Sequence, residues 1–199
     1  MQWYFKTITF LPKQCNNELL AAKCMKILHG FNYEYSTRSI GVSFPLWNDD
    51  SVGRKITFVS TKRVELDLLL TQTYFIQMRE INFLSISETN TVPDDCRYVS
   101  FKRCQSIDKT TQSGLVRKLK RLEKRAIARG EPFDPASFKQ HETTVLPHYH
   151  SLEENSKSKG GGFRLNIRIF EETGLKGDNG FSSYGLANTE ISFQSVPLI

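Results

Sequence analysis

The 199-residue sequence is poor in the features that mark membrane-bound and secreted proteins. No stretch approaches the roughly 18 consecutive apolar residues that a membrane-spanning helix needs. Residues 1–10 lack the basic start, the apolar centre and the small-residue cleavage site of a signal peptide. The four cysteines form no CxxC pair and do not suggest a disulfide framework. These absences predict a reduced, cytoplasmic protein without membrane contact.

Several catalytic motifs are also missing. The sequence has no acidic cluster with Mg²⁺ spacing, no glycine-rich phosphate loop followed by lysine, and no Ser-His-Asp order that fits a hydrolase triad. We therefore expect no cofactor, and an enzyme with this sequence should not need a metal ion.

The basic residues, in contrast, are concentrated in one segment. Residues 115–129 contain seven basic side chains and one acidic side chain, Glu123, so this segment carries a net charge of +6. The whole chain also carries +6, so the charges of the remaining residues balance. On an exposed charged helix, oppositely charged side chains four residues apart usually form ion pairs. Here nearly all the acidic side chains needed for such pairs are missing. The segment therefore favours a polyanionic partner, nucleic acid, over a merely solvated surface.

The same segment has the periodicity of a helix, which we predict at residues 113–130. Ser113 can cap its start, and Gly130 followed by Pro132 ends it. This helix is expected to pack against the rest of the protein through one apolar stripe and to expose its basic side chains on its other faces. The apolar stripe consists of Leu115, Leu119, Leu122 and Ala126.

The first half of the chain predicts the order β-α-β-β-α-β, the ferredoxin-like arrangement of many RNA-binding modules. Its first helix is capped by Asn16 or Asn17 and ends at His29 and Gly30. The second helix is expected at residues 64–70. Alternating or short apolar runs predict the strands, which are placed at residues 3–10, 39–44, 55–60 and 83–86.

The pattern changes beyond Pro93, so we predict a ferredoxin-like domain at residues 1–95 and a second domain at residues 96–199. The second domain should combine the basic helix with a small antiparallel sheet, which makes the fold α+β. Asp134-Pro135 is typical of a helix start, and three consecutive glycines predict a mobile loop. The remaining predicted elements are strands at 97–105, 163–170, 181–186 and 191–196, a short helix at 131–140 and the loop at 153–162.

The four histidines offer two candidate sites. His29 is predicted at the end of the first helix, where a histidine suits the negative end of the helix dipole and need not be catalytic. With an ordinary pKa of about 6.5, it would also suit the role of general base. His148 and His150 would project to one face of a strand and could hold a metal, although the sequence places no third ligand. His141 is isolated in a polar stretch.

Five segments in order resemble the CRISPR-RNA processing endoribonucleases of type I-F systems. They are Leu-His-Gly at 28–30, Ile-Gly-Val-Ser-Phe-Pro at 40–45, the basic helix, Gly-Phe-Arg-Leu-Asn-Ile-Arg at 162–168 and Ser-Tyr-Gly-Leu at 183–186. The beginning and the end of the chain, residues 3–12 and 193–199, are similar to the branch that transposons with RNA-guided insertion carry. The resemblance spans essentially the whole chain.

This resemblance implies an RNA hairpin as the ligand. The family's base-reading pair matches Arg103 and Gln105, which as bidentate groups suit guanine and adenine, although both could be ordinary polar residues of a strand. Phe163 matches the aromatic residue that stacks beneath the stem, and its position in an alternating strand equally suits a core residue. The basic helix would lie along the major groove and contact phosphates through Arg117, Lys118, Arg121 and Arg125.

The resemblance also implies cleavage at the foot of the stem, which leaves a 2′,3′-cyclic phosphate. His29 matches the general base, and Tyr184 matches a tyrosine that helps to position the site. The family's serine, which orients the attacking hydroxyl, lies before the Phe-Arg-Leu strand in a loop that is longer in this chain. We assign this role to Ser156, with Ser151 and Ser158 as alternatives.

We therefore predict a metal-independent, sequence-specific endoribonuclease that cuts precursor CRISPR RNA. It should stay on the 3′ hairpin of its product as a subunit of the type I-F Cascade effector complex and meet target DNA only through that complex. The transposon branch implies contact with a TniQ-family transposition adaptor. One alternative is a non-catalytic hairpin-binding scaffold, in which the departure from the family pattern in the serine-bearing loop has abolished cleavage. Another is a metal-dependent hydrolase that uses His148 and His150.

Overall fold

The computed structural model describes residues 2–105, 107, 112–135, 148–156, 161–171, 180–188 and 194–199. Backbone contacts divide the chain into two compact units, one of residues 1–103 and 149–199 and one of residues 104–148. The boundary between residues 1–95 and 96–199 stays a prediction. Within the described ranges, no helix combines the length and apolar character needed to cross a membrane.

The N-terminal part of the larger unit has the ferredoxin-like strand order. Its sheet runs β2-β3-β1-β4 with antiparallel neighbours, and a short strand β5 (Asn90–Thr91) also pairs with β1. The predicted order β-α-β-β-α-β is confirmed, with one further helix, α3, that was not predicted. The elements are β1 (Tyr4–Phe10), α1 (Asn17–Glu34), β2 (Gly41–Ser43), β3 (Lys55–Ser60), α2 (Arg63–Leu69), α3 (Thr73–Glu80) and β4 (Leu84–Ile86).

Helix α1 begins as predicted but ends later. The Asn16 side chain caps it by accepting a hydrogen bond from the Leu19 amide at 2.8 Å. The predicted end at His29 and Gly30 is wrong, because the helix continues to Glu34. A glycine inside a helix costs only about 1 kcal/mol relative to alanine, and burial of the residues that follow Gly30 outweighs it. His29 therefore lies inside the helix and is not its C-terminal cap.

The second sheet is antiparallel and runs β7-β8-β6-β9, which confirms the predicted α+β fold. Its strands are β6 (Tyr98–Arg103), β7 (His150–Ser156), β8 (Gly161–Glu171) and β9 (Val196–Pro197). The mobile loop predicted at 153–162 is wrong at both ends, because β7 pairs with β8 as far as Ser156 and Gly161. Pairing between the two strands gives the backbone N–H and C=O groups there their hydrogen-bond partners, although the segment contains glycines.

Three further predictions concern the rest of the C-terminal half. Residues 181–186 form a turn rather than a strand, because Gly185 has a positive φ of 76°. Of the strand predicted at 191–196, residues 191–193 lie outside the described part, and β9 begins at Val196. Of the short helix predicted at 131–140, residues 131–134 are not helical and residues 136–140 lie outside the described part.

One cluster of buried residues joins the two sheets of the larger unit. Leu28 of α1, Val42 of β2, Phe101 of β6 and Val196 of β9 all belong to it. The backbones approach closely: a Cβ atom on Gly41 would lie 2.6 Å from the Phe181 ring. The turn at residues 181–186 is thereby packed against α1 and β2, and this packing positions the candidate site.

The smaller unit contains the basic helix α4 (Gln112–Arg129). Its start differs from the prediction, because it begins at Gln112 and Ser113 is a helical residue rather than the cap. Its end is confirmed: Gly130 has φ 69°, the Gly130 amide donates to the Ile127 carbonyl, and the Glu131 amide donates to the Ala126 carbonyl. This pair of hydrogen bonds is the Schellman motif.

Candidate functional site

His29 is held by three side chains of the larger unit. Its ring stacks on Tyr184, with centroids 4.3 Å apart and planes 10° from parallel. The ring of Tyr33 meets it edge to face at 4.8 Å. On the third side, His29 Nδ1 is 2.9 Å from Ser183 Oγ. These contacts fix the orientation of the imidazole and leave Nε2 as the nitrogen that can face a substrate.

The surroundings keep His29 neutral. Partial burial lowers its pKa first, because a charged ring loses hydration, and the positive charge of Arg38 lowers it further. A histidine with a lowered pKa is deprotonated at neutral pH. It can therefore accept a proton without first having to lose one.

Arg38 is a fixed charge rather than a mobile one. Its Nη1 donates hydrogen bonds to the carbonyl oxygens of Asn32 at 2.8 Å and Thr37 at 2.6 Å. Its guanidinium also lies over the Tyr33 ring, 5.0 Å from the centroid, which is a cation–π contact. The loop after α1 therefore carries a positive charge beside the histidine at a defined position.

The turn that carries Ser183 and Tyr184 is attached to α1. Asn32, buried three residues after His29, donates from Nδ2 to the Ser183 carbonyl at 2.9 Å. The Gly185 amide closes the turn on the Ser182 carbonyl at 2.9 Å, and the Gly185 carbonyl accepts from the Val42 amide at 2.9 Å. One helix thus positions both the histidine and the turn that contacts it.

Replacing Gly185 with alanine should break this arrangement. The residue has φ 76°, and a Cβ atom would lie 2.5 Å from Val42 Cγ2 and 2.7 Å from Leu28 Cδ2. Strain and overpacking together should lower the free energy of unfolding by about 2–4 kcal/mol, measured by chemical denaturation. Gly30→Ala is the matched control, because that helical position has open space and should gain about 0.5–1 kcal/mol. Equal stability of Gly185→Ala and the wild type would contradict the close packing of the turn.

Of the three candidate serines, only Ser151 has its side chain in the described part of the chain. Ser151 lies in β7, and its hydroxyl donates to Asn166 Oδ1 at 2.6 Å. The backbone of Ser156 pairs with Gly161, its side chain lies outside the described part, and Ser158 lies wholly outside it. The serine that does contact His29, Ser183, was not predicted. Its only sequence signal is its place beside Tyr184 in the Ser-Tyr-Gly-Leu segment.

The residues predicted to bind RNA lie on two elements. Arg103 ends β6 and is half-buried, and Gln105 is exposed just after the strand. Phe163 is in β8, but its side chain lies outside the described part. Helix α4 exposes Arg117, Arg121 and Arg125 and half-buries Lys118. A shallow groove on this helix is lined by Gly114, Lys118, Arg121, Leu122 and Arg125.

The alternative metal site at His148 and His150 lacks the strand geometry that was expected for it. His148 is exposed and precedes β7, so the two residues do not share a strand. His150 is buried, and its Nε2–H donates to the Asn48 carbonyl at 2.7 Å, so this nitrogen is not available as a ligand. In the described ranges, no three His, Cys, Asp or Glu side chains are grouped so that they could hold a metal ion. His141 lies outside those ranges.

A ferredoxin-like sheet and an arginine-rich helix nearly free of acids are together typical of the RNA-binding class of proteins. Sequence comparison makes this class specific, because a profile of the CRISPR-associated protein family Cas_Csy4 matches residues 4–198. The chain belongs to this family of type I-F endoribonucleases, as its sequence segments predicted.

Among solved structures, the crystal structure of the CRISPR RNA processing endoribonuclease Cas6b is similar over 99% of this chain and 100% of that chain, at 12% sequence identity and a TM-score of 0.34. No curated protein sequence matches the chain. The transposon-encoded branch stays a prediction.

Proposed function

We propose that this protein is a metal-independent endoribonuclease that cleaves precursor CRISPR RNA at the base of the repeat hairpin. The observation that carries the proposal is the neutral His29, oriented by Tyr184 and held through Nδ1 by Ser183, in a member of this endoribonuclease family. A base in this state needs only a substrate hydroxyl within hydrogen-bond reach.

The reaction is a transesterification within the RNA. His29 Nε2 takes the proton of the 2′-hydroxyl, and the 2′-oxygen forms a bond to the adjacent phosphorus. The bond from phosphorus to the 5′-oxygen breaks, and that oxygen takes up a proton. The products are a 2′,3′-cyclic phosphate and a 5′-hydroxyl. Tyr184 positions the imidazole, and Ser156 orients the attacking hydroxyl.

Hairpin recognition is assigned to residues other than those that take part in the reaction. Arg103 and Gln105 would read guanine and adenine, and Phe163 would stack beneath the stem. Phosphate contacts would come from α4, through Arg117, Lys118, Arg121 and Arg125. We assign the base to the predicted domain at 1–95 and hairpin binding to the domain at 96–199.

Retention of the product follows from where these contacts lie. Cleavage at the base of the stem leaves the stem and its phosphates intact, so α4 keeps its contacts after the reaction. The protein would then remain at the 3′ hairpin as a cytoplasmic subunit of the type I-F Cascade complex. For the transposon branch, we also propose that the protein contacts a TniQ-family adaptor and meets target DNA through the complex.

The direct test is incubation of the purified protein with its repeat RNA and identification of the product ends. A 2′,3′-cyclic phosphate on one fragment and a 5′-hydroxyl on the other support the proposal. Tight hairpin binding without any cleavage would instead support the non-catalytic scaffold. Neither binding nor cleavage of the repeat would contradict both functions.

The basic helix should supply salt-dependent affinity. Replacing Arg117 and Arg121 with alanine should weaken hairpin binding and lower the slope of log K against log salt by roughly one for each phosphate that α4 no longer binds. The slope is measured by titration at several salt concentrations. Arg63→Ala with Arg79→Ala is the matched control, because it removes the same charge from α2 and α3. Equal slopes for both double variants would contradict a phosphate-binding role for α4.

The charge of Arg38 should set the pH range of cleavage. His29 acts as a base only when deprotonated, so the rate falls as pH drops through its pKa, which burial and Arg38 hold below the ordinary value. Arg38→Gln should therefore raise that pKa and move the acid limb of the rate profile to higher pH. Arg38→Lys keeps the charge and should move it less. Arg54→Gln also removes an arginine that donates to backbone carbonyls, and it should leave the limb in place. An unmoved limb in Arg38→Gln would contradict the electrostatic role.

A further inference from the structure

We propose that Ser183 is a positioning residue whose Oγ accepts the Nδ1–H of His29 and so holds the imidazole in the tautomer that leaves the Nε2 lone pair bare. The inference rests on the proposed function of His29 as the general base. It assigns a role to a side chain that sequence analysis did not select, and it explains why this nitrogen is engaged.

The tautomer decides whether the histidine can react. A neutral imidazole carries one N–H, so a bare Nε2 requires the proton on Nδ1. The 2.9 Å separation of Nδ1 from Ser183 Oγ is a hydrogen-bond distance that stabilises this form when the serine oxygen accepts. After Nε2 has taken the RNA proton, Nδ1–H still donates to the same oxygen. Proton transfer therefore needs no rearrangement on the protein side.

Two hydrogen bonds of the fold hold Ser183 beside His29. The Ser183 carbonyl accepts from buried Asn32 of α1, and the turn is closed by the Gly185 amide. The stacked Tyr184 ring prevents the imidazole from tilting away from the hydroxyl. Because His29 and Asn32 belong to the same helix, the distance between imidazole and serine is set by rigid elements.

A neutral acceptor suits this site better than a carboxylate. The groups that face His29 in the described part of the chain are the hydroxyl of Ser183, the rings of Tyr33 and Tyr184, and the charge of Arg38. None of these groups is a carboxylate. A carboxylate at Nδ1 would favour the imidazolium and raise the pKa of His29. Serine fixes the tautomer and leaves the base neutral.

The test compares Ser183→Ala with Ser183→Thr, which retains a hydroxyl. Single-turnover cleavage of the repeat RNA is measured across pH together with hairpin affinity. Ser183→Ala should lose about three- to tenfold in plateau rate, the equivalent of one net hydrogen bond, with unchanged affinity. Ser183→Thr should recover most of the rate. Ser182→Ala is the control, because its hydroxyl contacts the Leu186 amide of the same turn and not His29.

A second readout does not depend on cleavage. The ¹⁵N chemical shifts of the His29 ring should show Nδ1–H in the wild type and in Ser183→Thr, and a mixture of tautomers in Ser183→Ala. If wild-type protein cleaves and Ser183→Ala shows the same rates and ring shifts, the inference is overturned and the proposed function stands. If wild-type protein does not cleave, the proposed function fails, and the ring shifts alone decide whether Ser183 sets the tautomer.

Discussion

Replacing His29 with alanine should slow cleavage of the repeat RNA by about 10²–10⁴-fold and leave hairpin affinity unchanged. The rate is expected to fall because the proposed reaction uses the imidazole, which stacks on Tyr184, to remove the 2′-hydroxyl proton. Affinity is retained because the phosphate contacts are assigned to α4, which lies in the other compact unit. Single-turnover kinetics at saturating protein separate the two quantities.

The matched control is His148→Ala. This histidine is exposed and precedes β7, so its loss should leave both rate and affinity near the wild-type values. It also belongs to the alternative hypothesis of a metal site at His148 and His150, so the variant tests that hypothesis as well. Near wild-type cleavage by His29→Ala would show that His29 is not the general base. A large loss of cleavage rate in His148→Ala would support a catalytic role for His148.

The fold could be predicted wherever local pattern and tertiary packing agree. Strand β3 has its predicted bounds, Lys55–Ser60, because a short apolar run is buried on both faces. The end of α1 could not be predicted, because Gly30 is a local stop signal while burial of Phe31 and Asn32 depends on residues far along the chain. Local propensity is a weak prior in such places, and packing decides.

The candidate site shows the same division. Resemblance to the family selected His29 and Tyr184 separately, and the structure shows that their rings are in contact, while their roles stay predictions. Ser183 carries no periodicity or spacing that distinguishes it from the other serines. Its role depends on a turn that Gly185 permits and that Asn32 attaches to α1. Contacts between residues about 150 positions apart are not readable from one sequence.

A single 2′-deoxy nucleotide immediately 5′ of the scissile phosphate should abolish cleavage. In the proposed reaction the 2′-oxygen is the nucleophile, so its removal leaves no group for His29 to activate. Binding should be unchanged, because the phosphates that Arg117 and Arg121 engage are still present. The matched control substrate carries the deoxy nucleotide one position further 3′, where the hydroxyl takes no part in the reaction and cleavage should proceed normally.

The same assay in EDTA separates self-attack from metal-assisted hydrolysis. Hydrolysis by a metal-activated water molecule would also cleave the deoxy substrate, and it would leave a linear phosphate end. This hydrolysis would stop when EDTA removed the metal ion. Attack by the RNA itself needs no metal ion, so the ribose substrate should be cleaved at an unchanged rate in EDTA. These results do not depend on which serine orients the hydroxyl. Cleavage of the deoxy substrate, or a product with a 5′-phosphate, would overturn the proposed reaction even if His29 proved essential.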